Sequence, residues 1–183
     1  MEFPLPMDKV SVPTEDDGKV SVVLVATGSF NPPTFMHLRM FELARDALQS
    51  EGYRVIAGYM SPVTDVYKKP GLIPAEHRLR MCNLACESSD FIMVDPWEVR
   101  TICRDHGIAC IRREELDVDR IIAADEILNQ NKDNIKPVTE PVPNMISSTR
   151  LRDCISRGLS IKYLTADSVI SYIREHQLYL GNR

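Results

Sequence analysis

A hydroxyl-bearing loop followed by a histidine is the part of this chain best suited to chemistry. Residues 28–38 read Gly-Ser-Phe-Asn-Pro-Pro-Thr-Phe-Met-His-Leu and follow an apolar run at 20–26. The valine-rich run predicts a buried strand, and the Gly, Asn and Pro residues predict a tight loop. Gly28, Ser29, Thr34 and His37 then fall between the carboxyl end of a strand and the start of a helix. Ligands bind at that edge of open α/β sheets, and helix-start N–H groups favour phosphate.

A second run that suits phosphate lies far downstream, at residues 146–152, and reads Ile-Ser-Ser-Thr-Arg-Leu-Arg. Ser147 is a suitable N-cap for a helix that begins here. The run also supplies a hydroxyl at Thr149 and cations at Arg150 and Arg152. Beside a helix N-terminus these groups would bind an anion. Taken alone, the run is better explained by a capped surface helix with solvated arginines.

The elements that must position these two runs alternate between strand and helix. Apolar patterning predicts strands at 20–26, 53–60, 91–94, 108–111 and 135–138. Helices are predicted at 34–49, 75–87, 99–105, 118–129, 147–157 and 167–176. Such alternation is typical of α/β proteins with a parallel sheet.

Bulk composition limits the class of protein. The chain has 183 residues, 44% hydrophobic and 26% charged, which predicts one globular domain over residues 20–183 after a flexible N-terminal tail over residues 1–19. A net charge of −4 argues against a nucleic-acid partner. No apolar run approaches the roughly 20 residues of a membrane span, so no membrane association is expected.

Cysteine usage indicates a reduced, intracellular protein, cytoplasmic or nuclear. The five cysteines form no Cys-x-x-Cys pair, and one would remain unpaired if the others were bridged. Cys82 and Cys86 are spaced like two groups on one helix face, but His77 fits no usual zinc spacing with them. Packed free thiols explain them better than a metal site.

The two runs resemble the signatures of the eukaryotic nicotinamide/nicotinate mononucleotide adenylyltransferases. Thr34-Phe-Met-His37 corresponds to the four-residue core of the first signature, and residues 146–152 correspond to the second. Further similar stretches include Ser61-Pro62, Tyr67-Lys-Lys69, His77-Arg78 and Trp97-Glu98. The resemblance covers residues 20–179 and implies a Rossmann-like parallel sheet with helices on both faces, of the nucleotidyltransferase type.

The resemblance also implies a reaction, in which ATP accompanied by Mg²⁺ donates its adenylyl group to nicotinamide or nicotinate mononucleotide. His37 would be the catalytic residue, no residue would be a dedicated metal ligand, and the protein would form a homo-oligomer. The implied ATP contacts are Gly28, Thr34, His37, Asn144, Thr149, Arg150, Leu151 and Arg152. The implied mononucleotide contacts are Ser29, Phe30, Lys69, Trp97 and Arg113.

Several of these side chains also suit purely structural roles. The alternative for His37 is a histidine packed on a helix face, and the alternative for Phe30 is a core aromatic residue. Lys69 would be a solvated loop lysine, Trp97 a packed tryptophan and Arg113 a charge at the end of a strand. For Gly28 a tight turn and a close approach to nucleotide agree, because both require the absence of a side chain.

One departure from the family concerns the stretch after Glu98. The family carries there a helix, a central strand that ends in Gly-x-Asp, and aromatic residues near the pyridine ring. This chain continues at once with Val99, and neither Asp95 nor Asp125 replaces the missing aspartate by position. We therefore expect a sheet that lacks one central strand-helix segment. Either its neighbours pair directly, or the fold loses stability, since unpaired buried backbone groups cost about 1–3 kcal/mol each.

The departure leaves two alternative functions open. A shortened chain could be catalytically impaired and bind nucleotide or a full-length partner. A different adenylyltransferase or cytidylyltransferase could share the first signature, although the order of the motifs and the loop at 61–72 argue against it.

Overall fold

The computed structural model describes residues 5–14, 17–63, 65, 69–95, 107–112, 118–124, 129, 132–142 and 144–180. Its first half contains β1 (Ser21–Gly28), α1 (Phe35–Ser50), β2 (Arg54–Pro62), α2 (Ala75–Cys86) and β3 (Ile92–Val94). Its second half contains β4 (Ile108–Arg112), α3 (Val118–Ala124), β5 (Ile135–Thr139), α4 (Ser148–Ser156) and α5 (Asp167–Glu175). The alternation of parallel strands and helices confirms the predicted α/β class.

The strands form two parallel sheets rather than the single sheet that we expected from the sequence. One sheet has the order β1-β2-β3 and the other pairs β4 with β5. Among the described residues, β1 and β4 are not paired with each other. Of the two alternatives left open by the sequence, direct pairing of the flanking strands is therefore not found in this part of the chain. Within the described residues, β1 and β4 are therefore edge strands of separate sheets.

Helix α1 connects the two sheets because two sides of the helix are apolar. Leu38 and Phe41 belong to a cluster with the inner face of β1, β2 and β3. Met36 and Leu43 pack instead with Val138 of β5 and with residues of β4. One helix thus holds both sheets by burying apolar area on each.

The opposite face of the first sheet is only partly covered. Strand register places Val23 beside Ala57 and Val25 beside Tyr59 on this face. Ala57 and Tyr59 are buried under Val10, whereas Val23 is 46% exposed and Val25 is 42% exposed. Water therefore reaches this face of β1, which an α/β domain with helices on both faces of its sheet would ordinarily cover.

The cover over β2 and β3 comes from the N-terminal stretch. The Ser11 N–H donates to the Ile56 carbonyl at 2.9 Å. Lys9 Nζ donates to the carbonyl of Cys86 at 2.7 Å and to that of Ile92 at 3.3 Å, so the ammonium group satisfies the carboxyl end of α2. Part of the predicted tail thus contacts the sheet, and its flexibility stays a prediction.

The C-terminal elements pack against α2. Met81 of α2, Leu151 of α4 and Val169 and Ile173 of α5 are all buried in one cluster. This packing carries α4 to the carboxyl end of β1, since α4 also bonds to the loop that follows β1.

Cys82 and Cys86 are buried free thiols, and burial raises the pKa of Cys86 to about 12. Within the described part of the chain, no helix combines the length and apolar character needed to cross a bilayer. The predicted helix at 99–105, together with Trp97, Cys103, Arg113 and Asp125, lies outside the described residues.

Candidate functional site

The loop at 28–34 leaves β1 through a crowded turn. A Cβ atom at Gly28 would lie 3.2 Å from the Phe30 ring, which explains why the smallest residue stands there. Phe30 adopts a positive φ of 43° and is buried against the core of the first sheet. The ring therefore has a core role and also borders the pocket described below.

Four carbonyl groups of this loop accept hydrogen bonds from side chains of other elements. Three of the donors belong to α2 and α4, and the fourth lies just before α5. The donors and acceptors are Arg78 to Ser29 at 3.2 Å, Arg152 to Asn31 at 2.7 Å, Ser148 to Pro32 at 2.7 Å and Thr165 to Pro33 at 2.9 Å. The two prolines have no N–H to donate, so hydrogen bonds can hold this segment there only through its carbonyls. The side-chain donors of other elements supply those bonds.

Arg78 anchors the loop from within the protein. Its side chain is fully buried and also donates to the Ile73 carbonyl and to Asp65 Oδ1, each at 2.9 Å. The pKa of Asp65 is lowered by the Ala75 N–H at the start of α2 and then by Arg78. The sequence showed Arg78 only as part of a family-like dipeptide and gave no sign of this role.

His37 is held in a defined orientation by the residue that begins its helix. The Thr34 N–H donates to His37 Nδ1 at 3.0 Å, and the Thr34 hydroxyl lies 2.8 Å from the same atom. When Nδ1 accepts in this way, the neutral ring carries its proton on Nε2. The ring also meets Phe30 edge-on, with 5.1 Å between centroids. Thr34 is 1% exposed, so its hydroxyl orients His37 rather than facing the pocket.

A pocket brings residues of both signatures together. His37 from the first signature and Thr149 and Arg152 from the second share it with Lys69 from the loop after β2. The full lining is Ser29, Phe30, Asn31, His37, Lys69, Pro70, Ser147, Ser148, Thr149 and Arg152. Sequence reasoning assigned no ligand role to Asn31, Pro70, Ser147 or Ser148, because these types also fit turns and caps.

Five residues predicted to contact ATP are absent from this lining, and one of them is Gly28, in the turn that ends β1. Besides Thr34, Leu151 is fully buried in the core, and its N–H donates to the Ser147 carbonyl. Arg150 is exposed, and its N–H donates to Ser147 Oγ at 3.3 Å. Asn144 contacts the Met36 sulfur at 3.2 Å, beside the first turn of α1.

The pocket suits an anion. Lys69 and Arg152 supply cations, and the N-terminus of α4 contributes its positive end through Ser148 and Thr149. No carboxylate is among the described lining residues, and the described residues contain no cluster of three metal-ligating side chains. A parallel α/β fold with an anion-suited pocket at the carboxyl end of a strand is typical of nucleotide-binding proteins, a class that includes the nucleotidyltransferases.

Comparison with known proteins agrees with that class. Residues 25–154 match the family described as cytidylyltransferase-like. The chain is 52% identical to the nicotinamide/nicotinic acid mononucleotide adenylyltransferase of Arabidopsis thaliana, with 98% of each chain covered. It is 49% identical to the rice protein of the same name, with 98% of this chain and 95% of the rice chain covered. This chain belongs to the nicotinamide/nicotinic acid mononucleotide adenylyltransferase family.

A solved structure supports the fold. A protein from Vibrio parahaemolyticus, assigned as a nicotinate-nucleotide adenylyltransferase, superposes with a TM-score of 0.58 at 14% identity, over 89% of this chain and 97% of that one. The Arabidopsis alignment spans 234 positions against 183 residues here, so at least 51 aligned positions have no counterpart in this chain. A missing internal segment produces such a difference between two chains that align along nearly their whole lengths.

Proposed function

We propose that this chain transfers the adenylyl group of ATP to nicotinamide or nicotinate mononucleotide and so forms NAD or deamido-NAD with release of pyrophosphate. The observation that carries the proposal is the joint pocket of His37, Lys69, Thr149 and Arg152, in which both family signatures meet. The names of the plant relatives supply the substrates.

In the reaction an oxygen of the mononucleotide phosphate attacks the α-phosphorus of ATP. A new P–O bond forms, the bond from the α-phosphorus to the bridging oxygen breaks, and pyrophosphate leaves with the electron pair. Such transfers depend on positioning and charge stabilisation more than on covalent help from the protein. The pocket provides those two contributions through fixed donors and cations.

His37 would donate from Nε2 to a phosphate oxygen as negative charge builds on the leaving group. The Thr34 contact at Nδ1 favours the tautomer that this donation requires. Thr149, Arg152 and the N-terminus of α4 would hold the triphosphate, and Lys69 would attract the mononucleotide phosphate. Donors already in place lower the barrier because they need no reorganisation during the reaction.

Mg²⁺ would enter with ATP, because phosphate oxygens are its usual ligands in such sites. Bound there, the ion would neutralise charge on the β- and γ-phosphates. The described lining of the pocket is consistent with this arrangement, since it offers hydroxyl groups and cations rather than a carboxylate cage.

The test is NAD formation by the 183-residue chain with ATP, Mg²⁺ and either mononucleotide. We expect His37→Ala to reduce turnover by about 100-fold or more, the typical loss when a preorganised donor is removed. His176→Ala is the matched control, because His176 is exposed, does not line the pocket and contacts His77 and Tyr172. Equal loss in both variants, or none in His37→Ala, would contradict the proposal.

A second candidate function is nucleotide binding without turnover. It is favoured by the interrupted sheet and by the aligned positions of the plant relative that lack a counterpart here. A folded chain that binds ATP and forms no NAD would support this second function. ATP binding together with His37-dependent NAD formation would support the first.

A further inference from the structure

Tyr179 lies near the end of the described chain and reaches the loop that follows β1. Its hydroxyl donates to Asn31 Oδ1 at 2.8 Å, across 148 positions of sequence. The ring packs against the cluster formed by α2, α4 and α5. Burial raises the pKa of Tyr179, so the hydroxyl remains a protonated donor at neutral pH.

Asn31 is a buried junction, 5% exposed, that links Tyr179 to the loop before α2 and to α4. Its amide nitrogen donates to the Gly71 carbonyl at 2.7 Å. Its side-chain oxygen accepts from Tyr179 and, at the long distance of 3.5 Å, from the Ile73 N–H. Without the tyrosine hydroxyl, the buried oxygen would keep only the weaker contact.

Arg152 depends on the same residue. Its Nη1 donates to the Asn31 carbonyl at 2.7 Å, and its Nη2 donates to Thr149 Oγ1 at 3.3 Å. The shorter bond fixes the guanidinium at the pocket. A shift of Asn31 would therefore move the cation that the proposed function assigns to the triphosphate.

We propose that Tyr179 is a positioning residue for nucleotide binding, which holds Asn31 and thereby orients the Arg152 guanidinium at the pocket. The inference rests on the proposed function for its ligand. It concerns a residue outside both signatures and assigns the segment after α5 a part in the affinity for ATP.

The first measurement is ATP binding by calorimetry with Tyr179→Phe, which removes one oxygen and keeps the ring. We expect about five-fold weaker binding, in line with the loss of one buried hydrogen bond. Tyr172→Phe is the matched control, because its hydroxyl pairs with His77 rather than with the loop. It should change the affinity less than two-fold.

A double-mutant cycle separates positioning from a general loss of stability. In an Arg152→Met background, Tyr179→Phe should weaken ATP binding less than two-fold, because the cation that Tyr179 orients is gone. An equal loss in both backgrounds, or wild-type affinity in Tyr179→Phe alone, would overturn the inference.

A ligand-free readout keeps this inference separate from the proposed function. Phenylglyoxal modifies accessible guanidinium groups, and mass spectrometry reports the rate at Arg152. We expect Tyr179→Phe to accelerate modification of Arg152 several-fold while leaving the exposed Arg157 unchanged. An unchanged rate at Arg152 would overturn the positioning role. Failure of the wild-type chain to bind ATP would instead overturn the proposed function.

Discussion

The loop at 28–34 and the strand that leads into it are parts of one continuous segment, yet they are supported very differently. Four carbonyls of the loop are held by side chains of other elements. The strand pairs with β2 on one edge, and within the described residues its other edge has no strand partner. The loop that would bind phosphate in the proposed reaction is therefore held firmly where the sheet beside it is interrupted.

The difference separates two requirements of the proposed reaction. Groups that would bind the triphosphate come from α1 and α4, and both helices are present. By the family resemblance, the ribose-binding aspartate and the ring-stacking aromatics belong to the segment that this chain lacks. We therefore expect ATP binding to survive better than mononucleotide binding.

The largest effect should follow from restoring the segment. Insertion of the corresponding Arabidopsis residues after Glu98 would pair the open edge of β1 and cover Val23 and Val25. We expect a gain of about 5 kcal/mol in the free energy of unfolding, and a melting midpoint about 10–20 °C higher. Calorimetry on both chains measures it. Equal melting midpoints would show that the break costs nothing.

In the well-supported loop at 28–34, Arg78→Met should be the most damaging substitution. It leaves the Ile73 and Ser29 carbonyls without their buried donor, and each unsatisfied buried group costs about 1–3 kcal/mol. Arg157→Met is the control, because that side chain is 64% exposed and should contribute less than about 1 kcal/mol. Urea unfolding measures both. Similar small losses would mean that the loop does not depend on its buried anchor.

Val25→Thr tests the exposed face of β1. At 42% exposure the added hydroxyl should cost less than about 0.5 kcal/mol in this chain. In the restored chain the same position would be covered, and the cost should rise to about 1–2 kcal/mol. Val55→Thr, at a buried position of β2, should cost about 1–2 kcal/mol in both chains. If Val25→Thr lowered the free energy of unfolding equally in both chains, the inserted segment would not cover β1.

The smallest effect concerns Asp65, whose side chain is 59% exposed. Its pKa is lowered in the folded state, so the ionised carboxylate stabilises the protein at pH values above the unfolded-state pKa near 3.8. That contribution disappears as the pH falls through the folded pKa. Asp65→Asn should therefore cost under about 1 kcal/mol at pH 7 and almost nothing once the pH lies below the folded pKa. A difference that persists below that pKa would assign the effect to something other than charge.

Much of the fold could be predicted because it depends on local pattern. The apolar runs marked β1 and β2 to within a few residues, and Ser147 was correctly predicted as the N-cap of α4. The two signatures also meet in one pocket, as parallel topology requires when two loops follow the same edge of a sheet.

What escaped prediction depends on contacts between distant residues. Arg78 and Ser29 are 49 positions apart, and no periodicity shows that a buried guanidinium will hold that carbonyl. Thr34 was expected to face phosphate, but its burial turns it toward His37. The sequences of β1 and β4 do not show whether these two strands pair with each other. Each strand is apolar whether or not its edge is hydrogen-bonded to another strand.

The most direct test of the account is a comparison of ATP and nicotinamide mononucleotide affinities, by calorimetry, in this chain and in the segment-restored chain. We predict ATP dissociation constants within about three-fold of each other, since the triphosphate groups are retained in both. We predict mononucleotide binding at least about ten-fold weaker in this chain, the effect of one or two lost hydrogen bonds. Equal affinities for both ligands in the two chains, or an equal loss of both in this one, would contradict the division between an intact phosphate site and an incomplete mononucleotide site.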